Sequence, residues 1–148
     1  KYEKYSEPEN TVHCRSQIIF SIVLRSPKFN STKKYGVVLL VLSAEYERSE
    51  REEIRNSWAS NKESNTLKTG DSLVIFLVGR SFELDEEAST YGDLLQADIK
   101  ETYRNLVYKL EVGYRWLNKN VKFDYVAKID SDTVVHIDRL YNLLEYID

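Results

Sequence analysis

At 148 residues, with 42% hydrophobic and 30% charged side chains, the chain has the length and balance of one globular domain with a real core. A formal net charge of −3, with both signs interspersed, offers no basic stripe for nucleic acid and no polybasic patch for a membrane surface. Nucleic acid is therefore not the expected partner.

Residues 1–34 are polar, charged and irregular and hold both prolines, Pro8 and Pro27, which reads as a stem or linker. The single Cys14 has no internal disulfide partner. Asn30-Ser31-Thr32 is an N-glycosylation acceptor sequence, relevant only in the secretory pathway. The strand-like run Ile18 to Leu24 contains a serine and is far short of the roughly 20 residues needed to span a bilayer, so no transmembrane helix or signal peptide is expected. Because the chain starts at Lys1 and stops at Asp148 inside a helical pattern, it reads as a fragment.

Gly36 to Leu42 is a continuous Val/Leu run suited to a strand covered on both faces. Ser49 with Glu52 has the form of a capping box, and Ile54 and Trp58 then fall on one helical face, with Trp58 expected as a core anchor. Leu73 to Val78, closed by Gly79, is a second buried strand, and Asp93 to Gln96 a short third one. Asp98 and Glu101 read as the start of a helix whose stripe is Ile99, Tyr103, Leu106, Val107, Leu110, Tyr114 and Leu117, about five turns long. Phe123 to Ile129 is the next strand, and Ile137, Leu140, Tyr141, Leu144 and Ile147 mark a last amphipathic helix. Strands alternating with helices predict an α/β fold with a mostly parallel sheet. Gly is too sparse for a phosphate loop.

The chemistry concentrates where the last strand runs into Asp130-Ser131-Asp132. On extended chain, side chains at i and i+2 share a face, so Asp130 and Asp132 are expected to converge at the strand's C-terminal end. Two adjacent carboxylates repel, and a hard divalent cation relieves that repulsion, so the pair reads as a metal clamp for phosphates. Ligands of open α/β sheets bind at that end of the strands. Asp-Ser-Asp-Thr-Val also resembles the first motif of haloacid-dehalogenase-like phosphatases, although that motif normally opens its domain and here three strand-like segments precede it. Arg51 and Arg55, spaced i, i+4, lie on one helix face where they could serve a diphosphate; the plainer reading is a solvated face of Glu/Arg pairs. His136 reads as structural or exposed.

Together these segments resemble the β-1,3-galactosyltransferase and β-1,3-N-acetylglucosaminyltransferase family. Its R-x-x-I-R-x-T-W motif stands here as Arg51, Ile54, Arg55 and Trp58, with Ser57 in the threonine place. Glu87, Tyr91 and Asp93 follow in the family's order. Asp98, Glu101, Tyr103, Asn105, Leu106 and Lys109 then resemble its D-x-x-D-x-Y-x-N-L-T-x-K segment, and Arg115-Trp116 and Asp130-Ser131-Asp132 complete the match. It covers about three quarters of the chain, Gly36 to Ile147. Departures are Val107 for a usual threonine and Thr133-Val134-Val135-His136 where a hydrophobic strand ending in Asn is common.

The resemblance implies a GT-A-type nucleotide-sugar-binding half-domain over residues 35–148. It implies Mn²⁺ (or Mg²⁺) held by Asp132 directly, with Asp130 acting through a water or the ribose, and a donor site of Arg51, Arg55, Asp130, Ser131 and Asp132. The implied reaction moves galactose or an N-acetylhexosamine from a UDP-sugar to a glycan on a glycoprotein or glycolipid, with inversion. The base would come from an acidic motif beyond Asp148, so this fragment alone is expected to be inactive. The implied location is the lumenal side of the Golgi membrane, anchored through segments absent from this chain. A Mg²⁺-dependent phosphatase and a catalytically silent UDP-binding module are the alternatives.

Overall fold

The computed structural model describes residues 23–147; Cys14 and the run up to residue 22 lie outside the described residues. In chain order the elements are β1 (Val23–Arg25), β2 (Lys34–Leu42), α1 (Arg48–Asn56), α2 (Asn65–Thr69), β3 (Ser72–Val78), α3 (Asp85–Tyr91) and β4 (Leu94–Ala97). A 3₁₀ turn (Tyr103–Asn105), α4 (Leu106–Asn120), β5 (Lys122–Asp130) and α5 (Ile137–Ile147) complete them. The sheet order is β1-β4-β3-β2-β5. Only β1 is antiparallel, so the mostly parallel α/β sheet expected from the sequence is what forms. The sheet also takes in residues upstream of position 35, because β1 pairs with β4 and Phe29 packs edge-on against Trp116 at 5.6 Å.

β2 is the central strand, and its period of two divides the core. Val38, Leu40 and Leu42 face α4 with Ile75, Leu77, Leu95 and Leu117. Val37, Leu39 and Val41 face the opposite layer, where Ile54 of α1 packs with Phe76, Val78, Leu84 and Leu94, and Ile137 of α5 packs on Val37 and Leu39. All six residues from Val37 to Leu42 are buried, which is why the run reads as continuously apolar rather than alternating. Trp58 packs against both clusters of the second layer.

The chain moves outward from β2 through β3 to β4, then crosses back to the far side of β2. A right-handed crossover in the reverse direction needs its helix on the other face. α4 supplies it, lying so close to the sheet that a Cβ on Gly113 would sit 2.7 Å from a methyl of Leu77. The reversal puts a topological switch point between β2 and β5, with Leu42 level with Asp130 at their C-terminal ends.

Several expected boundaries are corrected. Ser49 does not form a capping box: its Oγ bonds Glu50, and α1 begins at Arg48 after Glu47. The helix expected from Asp98 begins instead at the 3₁₀ turn capped by Thr102, whose Oγ1 accepts the Asn105 N–H, because Asp98 pairs with Arg80 and Glu101 turns to Gly79 and Lys109. That rotates the stripe: Tyr103 and Val107 are exposed, and Lys109, Val112, Gly113 and Leu117 are the buried positions of α4. Asp138 lies in the first turn of α5, and its carboxylate accepts hydrogen bonds from Ser64, Asn65 and Thr66 at the start of α2.

Candidate donor-binding cleft

The parallel ends of β2 and β5 open into a cleft of about 450 Å³. Its walls come from three places: Leu42 at the end of β2 with Ser43, Ala44, Tyr46 and Glu47 after it, Glu101 to Tyr103 with Leu106 and Lys109 before and on α4, and Asp130 at the end of β5 with Ser131 and Asp132 after it. All three acidic-motif residues therefore line it. They do not converge as two residues of one strand face, however. β5 ends at Asp130, and a turn closed by the Thr133 N–H on the Asp130 carbonyl at 3.0 Å carries Ser131 and Asp132 over the strand end. The residue that does share a strand face with Asp130 is Lys128, two positions earlier, whose Nζ lies 2.6 Å from Oδ1 and 2.7 Å from Oδ2. Asp132 is exposed, with Thr133 Oγ1 at 3.4 Å.

The loop after β2 is shaped by Glu47. Its carboxylate accepts from the Ala44 N–H at 2.8 Å and the Ser43 hydroxyl at 3.1 Å, folding the chain back before α1. On the opposite wall Lys109 is buried, and its Nζ donates to the Ser43 carbonyl at 3.0 Å and to both oxygens of Glu101 at 2.8 and 2.9 Å. Glu101 Oε1 also accepts the Gly79 N–H at 2.6 Å. Glycine suits that approach, since a Cβ at position 79 would meet the Ile99 backbone carbonyl as well as the carboxylate at 2.6 Å. One buried ammonium thus ties the ends of β2 and β3 to α4. The exposed rings of Tyr46 and Tyr103 stand at the rim.

Arg51 and Arg55 are not in this cleft. Arg51 is 0% exposed, and all five of its N–H groups are engaged. Nε and Nη2 bind Glu87 at 2.7 and 2.6 Å, Nη1 donates to Ser43 Oγ at 2.8 Å and the Ala44 carbonyl at 2.6 Å, and Nη2 also reaches the Glu45 carbonyl at 3.3 Å. No donor is left for a nucleotide, so its expected role in donor contact is corrected to holding the 43–45 backbone from behind. Arg55 does not line the cleft either: it forks onto Asp93 at 2.7 and 2.8 Å, donates to Glu87 at 2.7 Å, and lies against the rings of Tyr91 (3.9 Å) and Phe76 (4.7 Å), with its buried Nη1 left without a hydrogen-bond partner among the described residues. Burial works against the Glu87 carboxylate, but its hydrogen bonds from Arg51 and Arg55 prevail and hold it below the ordinary range. His136 is exposed; its Nδ1 faces the Arg139 N–H at 3.4 Å at the start of α5.

Sequence reasoning missed Lys128, Glu47 and the cross-bridging role of Lys109. Only Lys128 had a local signal, its i, i+2 spacing from Asp130.

Asp130 and Asp132 supply only oxygen ligands, which suits a hard divalent cation. Among the described residues no cluster of three or more His, Cys, Asp or Glu side chains could hold a metal, so a cation here would complete its shell with phosphate and water.

A family model described as galactosyltransferase matches residues 49–147. The chain is 32% identical over 115 residues to beta-1,3-galactosyltransferase 5 of Pan troglodytes, an alignment covering 73% of this chain and 38% of that protein. Against beta-1,3-galactosyltransferase 4 of Rattus norvegicus it is 31% identical over 114 residues, covering 73% and 30%. Against UDP-GalNAc:beta-1,3-N-acetylgalactosaminyltransferase 1 of Rattus norvegicus it is 30% identical over 140 residues, covering 86% and 40%. The chain thus spans between 30% and 40% of the length of these relatives.

Proposed function

The chain belongs to the galactosyltransferase family, and from that membership we propose that it carries the donor-binding part of a UDP-sugar-dependent hexosyltransferase acting on glycan acceptors. The observation that carries the reading is the cleft at the β2/β5 switch point, where Asp130, Ser131 and Asp132 face the loop after β2. Asp132, with its exposed carboxylate, is assigned as the direct ligand of a Mn²⁺ or Mg²⁺ ion. The chemistry such a cation supplies when bound is Lewis-acid stabilisation of the charge on the departing diphosphate.

This chain's residues bind and orient. Lys109 and Arg51 fix the backbone at 43–45 from two sides, so the floor of the cleft is set before a ligand arrives. Tyr46 and Tyr103 offer apolar faces at the rim to a base or sugar ring. A galactosyl or N-acetylhexosaminyl donor and a β-1,3 linkage follow the names of the relatives, and a lumenal Golgi setting follows the class of enzyme. No described helix is long and apolar enough to cross a membrane. The phosphatase alternative loses support, because three parallel strands precede the acidic turn and the family match runs through it.

Calorimetry of UDP binding tests the reading. UDP is expected to bind at least about tenfold tighter with Mn²⁺ than with chelator, and Asp132→Asn should remove the difference, tenfold corresponding to about 1.4 kcal/mol. Equal affinities with and without metal would overturn it. Metal-dependent UDP binding without transfer by the whole protein would favour the silent module.

A further inference from the structure

The ion pair between Lys128 and Asp130 has no structural role that its position explains. It sits on β5, one of the two edge strands of the sheet formed by the described residues, with Lys128 about one third exposed and Asp130 more than half exposed. Exposed pairs of this kind contribute little to stability. Yet the geometry is specific: one ammonium takes both oxygens of the motif's first carboxylate, at 2.6 and 2.7 Å, while the second carboxylate, on the turn, is left to solvent.

We propose that Lys128 is a resident counter-ion which competes with a divalent cation for Asp130, so that the cation enters strongly only together with a diphosphate. The inference rests on the donor-binding reading above. An ammonium on both oxygens of Asp130 offsets the charge that this carboxylate offers a cation, directly or through a water, and at a few ångströms the two positive charges repel. A diphosphate reverses the balance in two ways. It supplies oxygen ligands to the cation, and it gives Lys128 another anion to pair with, freeing Asp130. Cation and nucleotide are then thermodynamically coupled through one lysine, each raising the other's affinity by the same factor. Lys128 acts as a positioning residue: it sets which carboxylate is available and when.

The test is Mn²⁺ binding to the purified protein, read from the paramagnetic resonance of free Mn²⁺, first without nucleotide and then with UDP. Lys128→Met is expected to bind Mn²⁺ alone at least about fivefold tighter than the unaltered chain, and the factor by which UDP raises Mn²⁺ affinity should shrink. Lys128→Arg keeps the charge and should behave as the unaltered chain does. Lys128→Gln is measured alongside, so that poor folding of one variant does not remove the comparison. If both neutral variants match the unaltered chain within twofold while UDP binding remains Mn²⁺-dependent, the inference is overturned and the donor-binding reading stands. If Mn²⁺ and UDP show no coupling in the unaltered chain, the donor-binding reading fails and the inference with it.

Discussion

Two charged clusters flank the end of β2, and they are built in opposite ways. Behind the strand, Arg51, Arg55, Glu87 and Asp93 form a closed network in which Arg51 and Glu87 are 0% exposed and every N–H of Arg51 is engaged. In front, Asp130 has one lysine and Asp132 stands in solvent. Apart from the buried Arg55 Nη1, the network is paired, and it defines one geometry because any rearrangement strands a charge in low dielectric. An open pair can exchange partners at little cost. The contrast shows why charged residues of one family pattern can play separate roles, Arg51 holding the loop after β2 while Asp130 and Asp132 stay at the surface.

Breaking the closed cluster should produce the largest effect. Arg51→Ala leaves the Glu87 carboxylate buried against Arg55 alone, and breaking a buried pair of this kind costs about 3–5 kcal/mol. Denaturant unfolding should report that loss, and UDP affinity should fall with it, because Arg51 holds the 43–45 backbone that lines the cleft. Loss of UDP binding at unchanged stability would mean that Arg51 contacts the nucleotide after all. Arg51→Met with Glu87→Leu, which removes both charges, should recover part of the stability.

Lys109 joins the two regions and should show both signatures. Lys109→Met leaves Glu101 without its ammonium and the Ser43 carbonyl without a donor, a loss of about 2–3 kcal/mol on the scale of charged hydrogen bonds. Since it also releases one wall from the β2 end, UDP affinity should fall with it. Unchanged UDP affinity would place the Ser43 loop outside the ligand's reach.

Asp138 sharpens the comparison by pH. Burial pushes its carboxyl up, but the hydrogen bonds from Ser64 and from Asn65 and Thr66 outweigh that and hold it well below the ordinary aspartate value of 3.8. A folded pKa below the unfolded one contributes stability that is fully present above the unfolded value and is lost as pH falls through it toward the folded one. Melting curves should therefore show a loss of stability on acidification below about pH 4 that is shallower in Asp138→Asn, with a cost at pH 7 of about 1–2 kcal/mol, the size of a helix cap. An identical acid limb in the variant would show that Asp138 does not shape the acid response.

Much of the fold was legible because burial leaves a direct imprint. Gly36 to Leu42, Leu73 to Val78 and Phe123 to Ile129 read as strands by composition, and each lies within a strand. α2 and α3 escaped notice because five and seven residues give too little periodicity. The start of α4 was misjudged because Asp98 and Glu101 resemble capping acids locally, and only tertiary contacts with Arg80, Gly79 and Lys109 draw them away. At the site, the family pattern located the acidic turn but could not distribute the labour. Nothing local to Arg51 reveals that Glu87, 36 residues on, occupies it.

The smallest effect expected belongs to the rim. Tyr103 is 93% exposed beside the cleft, with no burial to defend, so Tyr103→Ala should leave unfolding within about 0.5 kcal/mol of the unaltered chain. An exposed large aromatic beside a polar cleft is a surface that a planar base or the apolar face of a sugar ring can cover, and stacking of that kind contributes about 1–3 kcal/mol per base. UDP affinity should fall about five- to tenfold in Tyr103→Ala and be restored by Tyr103→Phe, because the ring rather than the hydroxyl makes the contact. Fluorescence titration with UDP and, separately, with galactose tells base from sugar. A fall seen for UDP alone assigns the ring to the nucleotide. A variant indistinguishable from the unaltered chain toward both ligands would leave Tyr103 as solvent-facing surface and confine the cleft's binding to its floor.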